Sequence, residues 1–102
     1  FRVPVPCGSV VDLTLELEKD VSKEKLNDLL RNNQSEALRV CEDPIVSSDV
    51  LGKKCGALVD LLSTNVLETE SGSLVKVVAW YDNEMGYTAQ MLRTAKALIK
   101  EK

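Results

Sequence analysis

The sequence of 102 residues contains no histidine. Histidine is the side chain that most often acts as a general base near neutral pH, and it is also the commonest metal ligand. No nucleophile with a base beside it in sequence, no metal-ligand cluster and no Gly-rich phosphate loop is present either. The residues taken alone therefore predict neither a catalytic site nor a metal site.

Long apolar runs are also missing. No window approaches the roughly 20 apolar residues that span a bilayer, and no secretory signal is recognisable. We therefore expect a cytoplasmic protein without a membrane partner. The chain opens on Phe1 rather than methionine, which indicates a segment cut from a longer polypeptide.

The cysteines form no recognisable framework, and negative charge slightly exceeds positive charge, with 16 Asp and Glu against 13 Lys and Arg. Three cysteines, Cys7, Cys41 and Cys55, are an odd set with long gaps, which fits neither a disulfide framework nor zinc-ligand spacing, so we interpret them as incidental free thiols. The net charge of −3 and the pI of about 4.9 argue against a nucleic-acid partner. The hydrophobic fraction of 44% predicts one packed domain.

Hydrophobic periodicity predicts the first elements of that domain. Alternating apolar and polar residues over 11–18 predict a half-buried strand. Ser22 then reads as the N-cap of a helix, with Val21 packing on Leu26, and the polar cluster 32–35 ends this helix.

The middle of the chain is predicted to form short extended segments. After a turn at Asp43-Pro44, residues 45–50 and 57–62 are expected to be strands or extended segments. Residues 66–69 and 74–81, joined by a turn containing Gly, predict a hairpin whose second strand lies near the middle of the sheet.

The last element is an amphipathic helix that begins between residues 84 and 88 and ends near Lys100. Strands that bunch rather than alternate with helices predict an α+β fold. We expect a mixed, mostly antiparallel sheet with helices on one face and the amphipathic helix at the C-terminus. The apolar face of that helix needs a partner; it consists of Met91, Leu92, Ala95, Leu98 and Ile99.

Two places carry more polar chemistry than packing requires. Arg2 can hold a phosphate or carboxylate through charge-assisted hydrogen bonds, and the alternative is an ordinary surface arginine. The run 81–87 joins the apolar strand to the last helix, where Asn83 can donate to and accept from a carboxamide. The alternative there is that Asp82 or Asn83 simply caps the helix.

Four blocks in order resemble the phosphorylating glyceraldehyde-3-phosphate dehydrogenase family: residues 1–6, 9–14, 42–49 and 80–87. The resemblance covers essentially the whole chain, residues 1–102, as the C-terminal part of the catalytic domain, without the NAD-binding domain. It implies an enzyme that converts glyceraldehyde 3-phosphate, inorganic phosphate and NAD to 1,3-bisphosphoglycerate and NADH through a thiohemiacetal and a thioester. Family members are usually homotetramers.

The resemblance also implies roles for individual residues. Arg2 matches the arginine that binds substrate and inorganic phosphate, Asn83 the asparagine that contacts the nicotinamide carboxamide, and Tyr87 the tyrosine that packs near the nicotinamide ring. The family's nucleophilic cysteine and histidine base match nothing in this chain, so the segment alone is expected to be inactive. NADP is not excluded as the cofactor. A non-catalytic binding or assembly module, or an erythrose-4-phosphate dehydrogenase, are the alternatives.

Overall fold

The computed structural model describes residues 1–101. In chain order it contains β1 (Ser9–Leu17), α1 (Lys23–Asn32), β2 (Leu38–Cys41), β3 (Ala57–Asp60), β4 (Asn65–Thr69), β5 (Gly72–Tyr81) and α2 (Met85–Lys100), with short 3₁₀ turns at Ser47–Val50 and Leu61–Ser63. The predicted α+β fold with a mixed sheet and a C-terminal helix is confirmed. Neither of the described helices has the length and apolar character needed to cross a membrane.

Strand β5 organises the sheet. It pairs antiparallel with β1 along its length, from Ser73 opposite Leu17 to Tyr81 opposite Ser9. Its other edge pairs antiparallel with β4 and then with β3, and β2 joins β3 in parallel. Val75 of β5 is only 1% exposed. The prediction that this strand lies in the middle of the sheet is therefore confirmed.

The predicted hairpin and first helix are also confirmed. Strands β4 and β5 extend closer together than expected, so that only Glu70 and Ser71 remain between them. Helix α1 begins as predicted, because the backbone N–H of Lys25 donates to Ser22 Oγ at 3.2 Å. Its end is closed by Asn33, whose side-chain amide donates to the carbonyl of Leu29 at 2.8 Å.

The extended segment predicted at 45–50 is wrong over Ser47–Val50, which forms a 3₁₀ turn. The Asp49 carboxylate accepts a hydrogen bond from the Val46 N–H at 2.8 Å, and the Asp49 N–H donates to the Val46 carbonyl at 3.0 Å. A side chain that binds nearby backbone competes with sheet pairing, which is why the apolar content of this segment misled the prediction.

Strand β2 was not predicted. It has four residues and exists because it pairs in parallel with β3. The segment expected at 57–62 is a strand only as far as Asp60, whose carboxylate accepts from the Leu62 N–H at 3.1 Å and begins the second 3₁₀ turn. Long-range pairing and local capping decide both boundaries.

The apolar faces of β1 and α2 are largely uncovered. Leu13 and Leu15 of β1 are 44% and 41% exposed, so the half-buried face predicted for this strand is covered only in part. Four residues of the predicted apolar face of α2 are each more than half exposed, namely Met91, Leu92, Leu98 and Ile99. Most of this face of α2 is therefore left uncovered within residues 1–101.

Candidate functional site

Three separate segments meet where β5 passes into α2. Residues 82–84 form the junction itself, the turn at Cys7-Gly8 precedes β1, and Gly52 follows the first 3₁₀ turn. Hydrogen bonds join the junction to both of the other segments, from Gly8 to Asn83 and from Gly52 to Asp82. The junction is thus fixed by contacts from 75 and 30 residues away along the chain.

Asp82 anchors the junction. It is 6% exposed, and its Oδ1 accepts from the N–H groups of Glu84 at 2.9 Å and Met85 at 3.0 Å. Its Oδ2 accepts from the Gly52 N–H at 2.9 Å. One carboxylate therefore satisfies two free amides at the start of α2 and ties that start to a neighbouring loop.

These hydrogen bonds set the charge state of Asp82. The N–H groups of Gly52, Met85 and Glu84 stabilise the carboxylate and hold its pKa below the ordinary value of 3.8, against a smaller opposing effect of burial. Asp82 is consequently ionised wherever the protein works near neutral pH. A negative charge at the N-terminal end of α2 also suits the positive end of the helix dipole.

Asn83 is left free of the capping role. Its side chain is exposed, and its Oδ1 accepts from the Gly8 N–H at 3.3 Å. Because the Gly8 N–H is a donor, the amide atom that faces it must be the oxygen. The Nδ2 group donates to no residue among 1–101, so it remains an unused donor on an exposed side chain.

Gly8 is required at this position for two reasons. Its φ is +97°, a backbone conformation that other residues rarely adopt. A Cβ atom there would also lie 3.2 Å from the carbonyl oxygen of Ser47. The turn before β1 therefore packs closely on the 3₁₀ turn, and this packing places the Gly8 N–H against Asn83.

The other two predicted site residues are exposed. Tyr87 lies in the first turn of α2 with 75% of its surface accessible. Arg2 is exposed near the N-terminus, where its Nη1 donates only to the carbonyl of Phe1 at 3.5 Å. Among residues 1–101, no hydrogen bond joins Arg2 to Asn83 or Tyr87.

Cys7 is a site neighbour that the sequence did not reveal. The prediction of an incidental thiol does not anticipate that the Cys7 Sγ lies 3.8 Å from both Asp82 Oδ1 and Asn83 Oδ1. No local pattern signals a contact between residues 76 positions apart. Cys41 and Cys55 are free thiols as well, and residues 1–101 contain no cluster of three His, Cys, Asp or Glu side chains that could hold a metal ion.

The family model and the similar proteins that this chain matches agree on one family. Residues 1–83 match the family described as glyceraldehyde 3-phosphate dehydrogenase, C-terminal domain. The chain is similar to glyceraldehyde-3-phosphate dehydrogenase of Streptococcus pyogenes, with 48% identity over 99 residues, and to that of Streptococcus dysgalactiae subsp. equisimilis, with the same identity over the same length. Each alignment covers 97% of this chain and 30% of the relative, so the chain spans less than a third of the length of these relatives.

Proposed function

The chain belongs to the glyceraldehyde-3-phosphate dehydrogenase family, and we propose that it supplies the nicotinamide-contacting and phosphate-contacting residues of the glycolytic enzyme. The proposed reaction converts glyceraldehyde 3-phosphate, inorganic phosphate and NAD to 1,3-bisphosphoglycerate and NADH. The similarity to glyceraldehyde-3-phosphate dehydrogenases supports this substrate over erythrose 4-phosphate. A chain that spans so little of its relatives performs this role together with the rest of the enzyme.

The orientation of the Asn83 amide carries the proposal. Its oxygen is occupied by the Gly8 N–H, and its nitrogen is available on an exposed side chain at a rigid strand-to-helix junction. This arrangement fits a nicotinamide carboxamide, whose carbonyl oxygen is an acceptor. When bound, NAD supplies the acceptor for the hydride. The chain's own contribution is to hold the carboxamide in one orientation, with Tyr87 one turn further along beside the ring.

Arg2 is proposed to bind the phosphate of the substrate and inorganic phosphate. Its guanidinium forms no ion pair within residues 1–101, so its planar set of donors is available for a phosphate. Such charge-assisted pairs are among the stronger hydrogen bonds in proteins. Arg2 positions the substrate and takes no part in bond making.

The chemical steps are assigned to residues outside this chain. Without histidine, these residues provide no general base of the usual kind. We propose that the nucleophilic cysteine and the histidine base come from the rest of the enzyme, including the part that carries the NAD-binding domain. This chain alone is then inactive.

The uncovered apolar faces support this dependence on further protein. The exposed residues of α2 and of β1 offer surfaces to the rest of the enzyme and to the other subunits of a homotetramer. The cytoplasm remains the proposed compartment, and the three unpaired thiols suit its reducing conditions.

The test is an assay of the native polypeptide that carries these residues. NADH formation should require both glyceraldehyde 3-phosphate and inorganic phosphate, and should be slower with erythrose 4-phosphate. Arg2→Gln should raise the KM for glyceraldehyde 3-phosphate and for inorganic phosphate about tenfold or more, while Lys23→Gln, at an exposed position on α1, should leave both unchanged. No NADH formation under these conditions would instead support the non-catalytic module.

A further inference from the structure

A cleft of about 410 Å³ beside α2 concentrates positive charge in an otherwise acidic chain. Its charged lining consists of five cationic side chains and one carboxylate: Arg39, Lys53, Lys54, Arg93, Lys96 and Glu36. The whole chain carries a net charge of −3. The cleft is therefore locally positive in a chain of negative net charge, and its lining includes neither Arg2 nor Asn83.

Arg93 is held rigidly in this cleft. Its Nε pairs with Glu36 Oε2 at 3.3 Å, its Nη2 donates to the Lys54 carbonyl at 2.8 Å, and its Nη1 donates to Gln90 Oε1 at 2.7 Å. The one carboxylate in the lining is thus already paired. Because each of its three nitrogens is already engaged, Arg93 fixes the wall of the cleft and leaves one N–H group on each Nη for a ligand.

The other four cations of the cleft have no such partner. Within residues 1–101, Arg39, Lys53, Lys54 and Lys96 form no ion pair. Like charges gathered on one surface repel each other. An anion bound in the cleft would relieve this repulsion.

We propose that this cleft binds a small, multiply charged phosphate anion of the pyrophosphate type. The unpaired Arg39 guanidinium and the three lysine ammonium groups match clustered phosphate oxygens. The remaining lining residues are Cys55, Ala89 and Leu92, with no aromatic side chain on which a nucleic-acid base could stack. These features favour a compact anion over a single-stranded nucleic acid.

A neighbouring cleft limits where the charge of the ligand can lie. It has a volume of about 580 Å³ and shares Arg39, Lys53 and Cys55 with the first, but its lining also includes Asp43 and Asp49. These carboxylates repel phosphate. The phosphate groups are therefore confined to the first cleft, and a larger ligand would place only its uncharged part in the second.

The experiment is a calorimetric titration of the native polypeptide that carries these residues with sodium pyrophosphate at constant ionic strength. The double variant Lys53→Gln, Lys96→Gln is compared with Lys23→Gln, Lys25→Gln, which removes the same charge from exposed positions on α1 outside the cleft. We expect saturable binding that weakens about tenfold or more in the first variant and less than about twofold in the second. Circular dichroism checks that both variants remain folded. If the Lys53→Gln, Lys96→Gln variant does not remain folded, Arg39→Gln replaces it in the titration, because the Arg39 side chain forms no hydrogen bond within residues 1–101.

Three results would overturn the proposal. One is the absence of saturable pyrophosphate binding. Another is an equal loss of affinity in both double variants, which would show that only the total charge matters. The third is a single-stranded RNA oligonucleotide that binds more tightly than pyrophosphate and loses affinity in the cleft variant. The dehydrogenase proposal is unaffected by each of these, since Arg2 and Asn83 lie outside the cleft.

Discussion

The backbone N–H of Gly8 donates to the side-chain oxygen of Asn83 at 3.3 Å, across 75 positions of sequence. This hydrogen bond fixes which end of the Asn83 amide is available to a ligand. It connects the start of the chain to the junction between β5 and α2, so the geometry of the proposed nicotinamide contact depends on a turn that touches no cofactor itself.

Gly8→Ala tests how closely this turn is packed. Alanine at a φ of +97° costs about 1 to 2 kcal/mol, and its Cβ would lie 3.2 Å from the Ser47 carbonyl oxygen. Gly52→Ala is the matched control, because its φ is +82° and its Cβ would have no neighbour within 4 Å. Urea unfolding of the chain should show a larger loss of stability for Gly8→Ala than for Gly52→Ala. Equal losses would mean that the close approach to Ser47 contributes nothing.

Asp82→Asn is expected to change the dependence of stability on pH. The folded state holds the pKa of Asp82 below 3.8, so its contribution is complete above that pH and is lost as the pH falls through the lower folded-state value. Asparagine is uncharged and has only one acceptor oxygen, so when that oxygen accepts from Glu84 and Met85, its NH2 group faces the Gly52 N–H, donor against donor. The urea midpoint of the variant should be lower at pH 7, and the difference from the unmodified chain should shrink at pH values below 3.8.

The apolar face of α2 should matter only in the native polypeptide. Leu98 is 62% exposed here, so Leu98→Asp should change the unfolding free energy of the 102-residue chain little. Burial of a leucine side chain is worth about 1.5 to 3 kcal/mol, and the same substitution in the native polypeptide should cost about that much. Ala97→Asp, on the opposite face of α2, adds the same charge and should cost less. Equal costs for the two variants would contradict the proposed packing.

Local sequence signals predicted the elements that local interactions build. Ser22 caps α1 as expected, and the apolar run of β5 occupies the middle of the sheet. Where a distant partner decides the structure, the sequence was silent or misleading. Strand β2 depends on pairing with β3, which lies far from it in sequence. Ser47–Val50 is an exception of the opposite kind, because a local contact, the Val46 N–H donating to the Asp49 carboxylate, forms a 3₁₀ turn that the apolar content of the segment hid.

The same distinction applies to the candidate site. The polar junction was visible in the sequence, but its two possible roles were not separable there. In the structure Asp82 has the capping role, because it accepts hydrogen bonds at the start of α2, whereas the Asn83 side chain accepts from the Gly8 N–H. Cys7 reaches the site only through the folded chain, and no spacing rule connects it to Asn83. The residue types of the junction could therefore be predicted from the sequence, but which of Asp82 and Asn83 caps α2 could not.

The polarity of the Asn83 contact can be tested with a cofactor analogue. Because the Asn83 oxygen is occupied by Gly8, the amide nitrogen should donate to the carbonyl of the carboxamide. An NAD analogue with an acetyl group in place of the carboxamide keeps that carbonyl. Asn83→Ala should therefore weaken binding of the analogue and of NAD by the same factor. A loss seen with NAD alone would reverse the assignment of donor and acceptor.

The most direct test of the account is the dissociation constant of NAD for the native polypeptide carrying Asn83→Ala. Loss of one hydrogen bond should raise this constant about tenfold, equivalent to about 1.4 kcal/mol. Asn65→Ala, an exposed asparagine on β4, is the control and should leave it unchanged. A dissociation constant within about twofold of the unmodified value in the folded Asn83→Ala protein would contradict the assignment of Asn83 to the nicotinamide.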